Sequence, residues 1–434
     1  MTVRVAFATL GCRLNQFETD ALERSAREAG HEVVDFADAA DVYVVNSCTI
    51  THDADADTRQ LVRRAARRSP DARVVVTGCM ATADPDSLAA MPEVTRVLGN
   101  REKEHFFDLA LGTGDDRVHV AAVDLTRRLR ITRLRPAADP RRSRAYLKIQ
   151  DGCDYRCSFC IVPQVRGRSS SLAPVDARRQ LREIVAAGVP EVVLTGVHLG
   201  TYGRDLTPRS DLVTLLAGLL PELGPARLRL GSVDPHEVDD ELIALLAGDR
   251  RLCRHLHLPV QSGDDGVLRA MRRAHTSADL RALVPRLAAA VPGIHLGTDV
   301  IAGFPGETAA AFDATAELLA SLPLASLHVF SYSERAGTVA ATLPGSVPPE
   351  QRLARTRVLR ALSQRMDLGF RTSQLGSDVP AVVYRARNRS GRLVALTDNY
   401  IKVQLDGPDA LLGRGIHVRI ESADANTTQA RLLV

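Results

Sequence analysis

The stretch IQDGCDYRCSFC, residues 149 to 160, places Cys153, Cys157 and Cys160 within eight positions of a chain that has seven cysteines in all. An odd cysteine count without a secretory leader argues against a disulfide framework and for metal binding or catalysis. Zinc and the common iron-sulfur sites usually take four protein ligands, so a loop offering three leaves one position open. Three thiolates can hold a 4Fe-4S cluster by three irons and leave the fourth free for a small molecule. A zinc site completed by a remote histidine is the rival, and no histidine follows at finger-like spacing.

A second set is spread out. Cys12, Cys48 and Cys79 close the runs VRVAFATLGC, ADVYVVNSC and ARVVVTGC, three short β-branched segments separated by helical stretches such as ETDALERSAREAG and DTRQLVRRAARRS. In a parallel sheet the loops after the carboxyl ends of strands lie on one side, where open α/β sheets bind ligands. Three thiols distant in sequence are thereby expected to meet. Cys253, in RLCRHLHLPV, is left over and reads as a buried packing residue.

The elements that must position these groups fall into three parts. Residues 1–115 form an N-terminal Rossmann-like α/β domain, and 116–143 an arginine-rich linker. Residues 144–368 alternate strand and helix. AYLKIQDGC, EVVLTGVHLG, ARLRLGSVDP, HLHLPVQSG, GIHLGTDVIAGFPGE and ASLHVFSYSE are six strands of a full or partial (β/α)6 barrel with its chemistry at the carboxyl ends. After the Gly/Pro-rich passage ERAGTVAATLPGSVPPE and a charged helix, residues 369–434 give five short runs with turns between them, the pattern of a small antiparallel β-barrel. Such barrels often bind single-stranded nucleic acid, and Arg385, Arg387, Arg389, Arg392 and Lys402 could supply a basic face.

With 434 residues, 45% hydrophobic and 25% charged, the chain reads as a multidomain globular protein. The N-terminus has no basic n-region with a long apolar stretch, and no apolar run approaches about 18 residues, so no membrane span and a cytoplasmic location are expected. The formal charge of +4 is modest, but Arg127 to Arg144 holds eight arginines against one aspartate. Arginine suits bidentate phosphate contacts, so a polyanion is a plausible partner; a solvated linker is the alternative.

The C-x3-C-x2-C loop at the head of a β/α barrel resembles the radical S-adenosylmethionine (SAM) superfamily. TLGCRLNQFETD, VVNSCT, VTGCM, LKIQDGCDYRCSFCIVPQVRGR, VLTGVHLGTYGRD, LHLPVQSGDDGVLRAMRR, DVIAGFPGET and FSYSERAGT together resemble its methylthiotransferases over nearly the whole chain, and the last barrel resembles their TRAM domain. LGCRLNQFETD, LKIQDGC and VLTGVHLG look closest to the tRNA enzymes that methylthiolate N6-threonylcarbamoyladenosine at position 37. The isopentenyladenosine branch and the branch that modifies an aspartate of a ribosomal protein are the alternatives. There are departures: RGRSSSL puts Ser170 and Leu172 where many relatives carry arginine, and Ser47 stands where threonine is frequent.

The resemblance implies two 4Fe-4S clusters and SAM. Cys153, Cys157 and Cys160 would hold the cluster whose open iron binds SAM, leading to a 5′-deoxyadenosyl radical that abstracts hydrogen from adenine C2. Cys12, Cys48 and Cys79 would hold an auxiliary cluster carrying the sulfur that a first SAM methylates. Phe159, Thr195, Gly196, Ser232, Asp234, Gln261, Ser262, Asp299 and Gly303, at strand tails, are the expected SAM contacts; His198 and His236 sit at similar places and could touch substrate. The implied partners are tRNA and an electron donor such as flavodoxin or ferredoxin, with the sulfur source open. A non-catalytic iron-sulfur RNA-binding protein is the reading from a different class.

Overall fold

The computed structural model describes residues 2–112, 114, 116–137 and 142–433; Asp139 and Arg141 of the linker lie outside the described residues. The N-terminal sheet holds β1 (Arg4–Thr9), β2 (Glu32–Val34), β3 (Val42–Ser47), β4 (Arg73–Gly78), β5 (Arg96–Leu98) and β6 (Val118–His119) in the order β2-β1-β3-β4-β5-β6. All five pairings are parallel. Every residue of β3 is buried because helices cover both faces. Tyr43 and Val45 pack with Val62 and Ala65 of helix His52–Arg68, whereas Val42 and Val44 pack with Leu22 of helix Arg13–Glu28. The strand order reverses between β1 and β3. A ligand site is expected at the carboxyl ends beside such a switch, and the loops there carry Cys12 and Cys48. β2, β5 and β6 are only two or three residues long, too short for alternation to reveal them.

The central region contains β7 (Arg144–Lys148), the short antiparallel pair β8 (Gln150–Asp151) and β9 (Ser170–Ser171), then β10 (Glu191–Thr195), β11 (Arg227–Arg229), β12 (His255–Gln261), β13 (His295–Ala302) and β14 (Ser326–Ser331). Two parallel three-stranded sheets, β11-β10-β7 and β12-β13-β14, are joined by parallel bridges Leu228↔Leu252 and Ser232↔His257. The six long-range strands thus follow one another in sequence order as a partial barrel. Leu147, Val192, Leu194, Leu228, Leu256, Leu258, Leu296 and Val300 point outward into the largest hydrophobic core, under the helices. Apart from Val193 and Gly297, most strand residues between them are polar: Arg144, Glu191, Arg227, Arg229, His255, His257, His295 and Asp299 alternate with that apolar set and face the lumen.

The closed C-terminal barrel, β15 (Asp378–Val383), β16 (Leu393–Thr397), β17 (Lys402–Leu405), β18 (Gly415–Ala423) and β19 (Thr428–Leu433), has the order β15-β16-β17-β19-β18. Helix Pro349–Ser373 leads into it and runs through the boundary expected at 368/369. The barrel docks on the amino ends of the central strands. Glu191 there is fully buried between Arg227 and Arg229, with Nε of Arg229 at 2.9 Å. The same guanidiniums donate to the carbonyls of Pro380, Leu396, Thr397 and Asp398. Tyr400, with φ +66, carries its ring to 4.3 Å from that of His255 and 5.1 Å from the Arg229 guanidinium carbon.

Several linker arginines pair with carboxylates of the same chain while staying exposed at the surface. Arg128 pairs with Asp154, Arg130 with Glu104, Arg135 with Glu28 and Arg142 with Asp20, and just past the linker Arg144 pairs with Glu191. Sequence shows a run of like charge; only folding shows which carboxylates it meets.

Candidate active site

The N-terminal triplet is brought together by three strand-to-helix turns. Gly11 has φ +89, and a Cβ there would stand 2.7 Å from both Cβ and Sγ of Cys48. Gly78, φ +100, is equally crowded by the Ser47 carbonyl and sets Cys79 at the start of helix Cys79–Ala83. Glycine is required at both turns because any side chain would wedge the loops apart. Cys48 and Cys79 are buried and Cys12 lies at the rim. Burial pushes the Cys48 thiol up to about 11, and the adjacent Cys79 and Cys12 thiols add to the rise.

The second triplet sits on the loop after β8. Burial pushes Cys153 and Cys160 up to about 12, again reinforced by thiol neighbours. Among the neighbours acting on Cys160 is Cys79 of the other triplet. Cys79 also packs with Ile161 and Val165, directly past Cys160. Two sets of thiols from different domains therefore face one another. His198 Nδ1 is 3.5 Å from Cys153 Sγ while its Nε2 is 2.7 Å from Glu237 Oε2, so this histidine addresses the thiol loop. Arg273 donates to Cys157 Sγ at 3.4 Å and to Asp234. His236 lies farther out, 2.7 Å from the Tyr155 hydroxyl.

A cavity of about 190 Å³ opens beside Cys160 at the seam of the two domains, lined by Ile50 and Thr51 from the N-terminal domain and by Phe159, Cys160, Gln261, Asp299 and Tyr332 from the barrel. The seam around it is fastened: Ser333 Oγ accepts from the His52 backbone at 3.1 Å, and Arg335 pairs with Asp55 at 2.5 Å. Of the expected SAM contacts, Phe159, Gln261 and Asp299 line this cavity. Asp299 meets His257 at 3.0 Å and His328 at 3.3 Å; burial raises its carboxyl, but the two histidine hydrogen bonds outweigh burial and hold it well below the usual range. Thr195 and Gly196 end β10, with Gly196 pressed against Gln150 and Leu199. Ser232 forms the bridge to His257, and Asp234 is held by Arg273 and His236. Ser262 is fully buried against Thr315, and Gly303 donates its N–H to Glu307. Cys253 is buried beside Glu191, as packing predicts.

A buried charge network behind the N-terminal thiols has no counterpart among the residues that sequence singles out. Glu18 of the first helix pairs with Lys103, Lys148 and Arg166, and Asp151 pairs with Lys148 and Arg166. Burial pushes the Glu18 carboxyl up, but the three cations together hold it well below its ordinary value. Glu18 and Lys103 are 85 residues apart, and their sequence contexts look like ordinary surface helices. The one local signal is ETD directly after a cysteine loop, where a solvated helix face is the usual reading.

The donor set suits iron-sulfur chemistry: two groups of three soft thiol ligands, each missing a fourth, with Cys48 and Cys79 buried and the others partly open. Comparisons with known proteins agree. Residues 4–99 match the model of a family described as "Uncharacterized protein family UPF0004", and residues 147–319 match that of the Radical SAM superfamily. The chain is 37% identical, over 96% of its length and 94% of the relative, to the threonylcarbamoyladenosine tRNA methylthiotransferase MtaB of Bacillus subtilis. It is 36% identical to the protein of that name from Aquifex aeolicus, over 93% of this chain and 97% of the other. Among solved structures, the radical S-adenosylmethionine methyltransferase TsrM of Kitasatospora setae, with cobalamin and a [4Fe-4S] cluster bound, superposes with a TM-score of 0.56 at 16% identity, over 79% of this chain and 77% of that one. That likeness speaks to fold alone.

Proposed function

The chain belongs to the radical SAM methylthiotransferase family, and from that premise we propose that it inserts a methylthio group at C2 of N6-threonylcarbamoyladenosine at position 37 of tRNA. The observation that carries this reading is the pair of thiol triplets approaching each other at Cys79 and the Cys160 loop, with a cavity beside Cys160. When bound, SAM and two 4Fe-4S clusters supply the methyl group, the sulfur-carrying iron and the radical that removes the adenine C2 hydrogen. Cys153, Cys157 and Cys160 would hold one cluster and Cys12, Cys48 and Cys79 the other. Phe159, Gln261 and Asp299 shape the cavity from the barrel side, and Ile50 and Thr51 cap it, keeping water from the reacting groups.

An anticodon-loop base is unpaired and can be splayed into such a pocket, while basic side chains hold phosphates without reading sequence. Cytosolic thiols stay reduced, and the cytosol is the compartment this reading assigns. Among the described residues no helix is long and apolar enough to cross a membrane. A reductant of the flavodoxin or ferredoxin type completes the scheme.

The test is anaerobic reconstitution of wild type and a Cys12→Ala, Cys48→Ala, Cys79→Ala variant. About eight irons per chain should fall to about four, with SAM cleavage retained and methylthio transfer lost. Absence of 5′-deoxyadenosine from the reduced wild type would leave a non-catalytic iron-sulfur protein. Unchanged methylthio-threonylcarbamoyladenosine in tRNA of a deletion strain would redirect the chemistry to another adenosine or to a ribosomal protein.

A further inference from the structure

Arg166 ends helix Val162–Arg166, which follows the Cys160 loop of the barrel domain, yet its guanidinium is buried in the N-terminal domain. Nη2 donates to Asn15 Oδ1 at 2.7 Å, and Nη1 lies 2.8 Å from Glu18 Oε1 and 3.1 Å from Asp151 Oδ1. Asn15 is three residues past Cys12 and also donates to the carbonyls of Leu10 and Ser47, which flank Cys12 and Cys48. On the far side Asn100 donates to the Val165 carbonyl at 3.1 Å and points the same amide at Cys79 Sγ, 3.9 Å away. Val165, the residue before Arg166, packs directly against Cys79. Through Asn15 and Asn100, the segment that carries this cation is tied to all three loops of the N-terminal triplet.

We propose that Arg166 is the positioning residue that completes the auxiliary cluster site electrostatically, supplied across the domain boundary by the radical SAM domain. The inference rests on the two-cluster reading above. Three thiolates around an iron-sulfur core, with an anionic sulfur on the open iron, gather negative charge in a buried place. A guanidinium beside them offsets that charge and raises the reduction potential, since nearby charge and hydrogen bonds to sulfur set the potentials of such clusters. Glu18 and Asp151 orient the guanidinium and moderate it. The sulfur-carrying site is therefore complete only while the two domains are docked.

The experiment isolates the auxiliary cluster in a Cys153→Ala, Cys157→Ala, Cys160→Ala background, then measures iron content, the electron paramagnetic resonance signal of the reduced cluster and its midpoint potential. About four irons in that background are the precondition; none would overturn the two-cluster reading itself, independently of Arg166. Added Arg166→Met should lower the reduced-to-oxidised ratio at least tenfold at the parent midpoint, about 59 mV for one electron. Glu18→Gln should move the potential the opposite way, and Arg166→Lys should restore most of the parent value. Loss of iron in Arg166→Met with retention in Arg166→Lys supports the same role. An unchanged potential in Arg166→Met, shifts of one sign in Arg166→Met and Glu18→Gln, or loss of the cluster from both Arg166 variants would overturn it.

Discussion

The hydroxyl of Tyr400 accepts a 2.9 Å hydrogen bond from Nη2 of Arg13, joining the C-terminal barrel to the neighbour of Cys12 across 387 positions of chain. Tyr400 reaches this place with a left-handed backbone that a non-glycine residue adopts only when its surroundings demand it. Its ring closes the base of the lumen against His255 and His295, and burial keeps His295 neutral, lowered to about 3. Tyr400→Phe removes one hydrogen bond to a charged donor and should cost about 1.5 to 3 kcal/mol in denaturant unfolding. Tyr400→Ala, which also removes the ring, should cost more.

Glu191 is the charge on which the docking of the last barrel depends. Its removal leaves Arg229 buried without its carboxylate, so Glu191→Gln should destabilise by about 3 to 5 kcal/mol. Burial raises the carboxyl, but Arg229 and Arg227 outweigh it and hold the group well below its ordinary 4.5. A depressed folded value stabilises above the unfolded value and is lost as pH falls toward the folded one. The gap between wild type and Glu191→Gln should therefore be full near neutrality and narrow below about pH 4.5, as urea titrations at several pH values would show.

Gly11→Ala tests whether backbone approach, and not only the thiols, builds the N-terminal site. A methyl group at Gly11 meets Cys48 Sγ at 2.7 Å in a backbone that disfavours alanine. Reconstituted iron should fall from about eight to about four per chain, while SAM cleavage continues. Retention of both clusters would mean that the loops can part without losing their ligands.

Among the C-terminal basic residues, Arg385 donates to the Arg142 carbonyl, Arg387 pairs with Asp409 and Arg392 with Asp406. Arg389 and Lys402 are exposed and show no ion pair among the described residues. Of these five, they are the side chains with no carboxylate or carbonyl partner among the described residues. Replacing each by alanine should weaken tRNA binding uniformly across sequences and reduce the salt slope by about one for each phosphate no longer neutralised. Filter binding between low and moderate salt measures this; Arg387→Ala should alter the slope less.

The six strands of the central barrel and the five of the last were legible because each alternates or runs apolar for several residues between turn signals. β2, β5 and β6 were not, since two or three residues carry no period. The cysteines were legible because thiols are rare here and their spacing is informative. Glu18, Lys103, Lys148 and Arg166 were not, because a charged residue on a helix looks the same whether it meets water or a partner 85 positions away.

Local pattern determined what the elements are and which of them end in a cysteine, because side-chain periodicity and turn chemistry act over a few residues. Tertiary structure decided which groups meet. Strand order at the β1/β3 switch gathered Cys12, Cys48 and Cys79, and docking of the barrel brought Arg166 behind them and Cys160 before them. It also paired several of the linker's arginines with carboxylates distant in sequence. Those outcomes depend on close approach between distant segments, where a buried charge is tolerated only beside its opposite, and no local stretch of sequence carries that information.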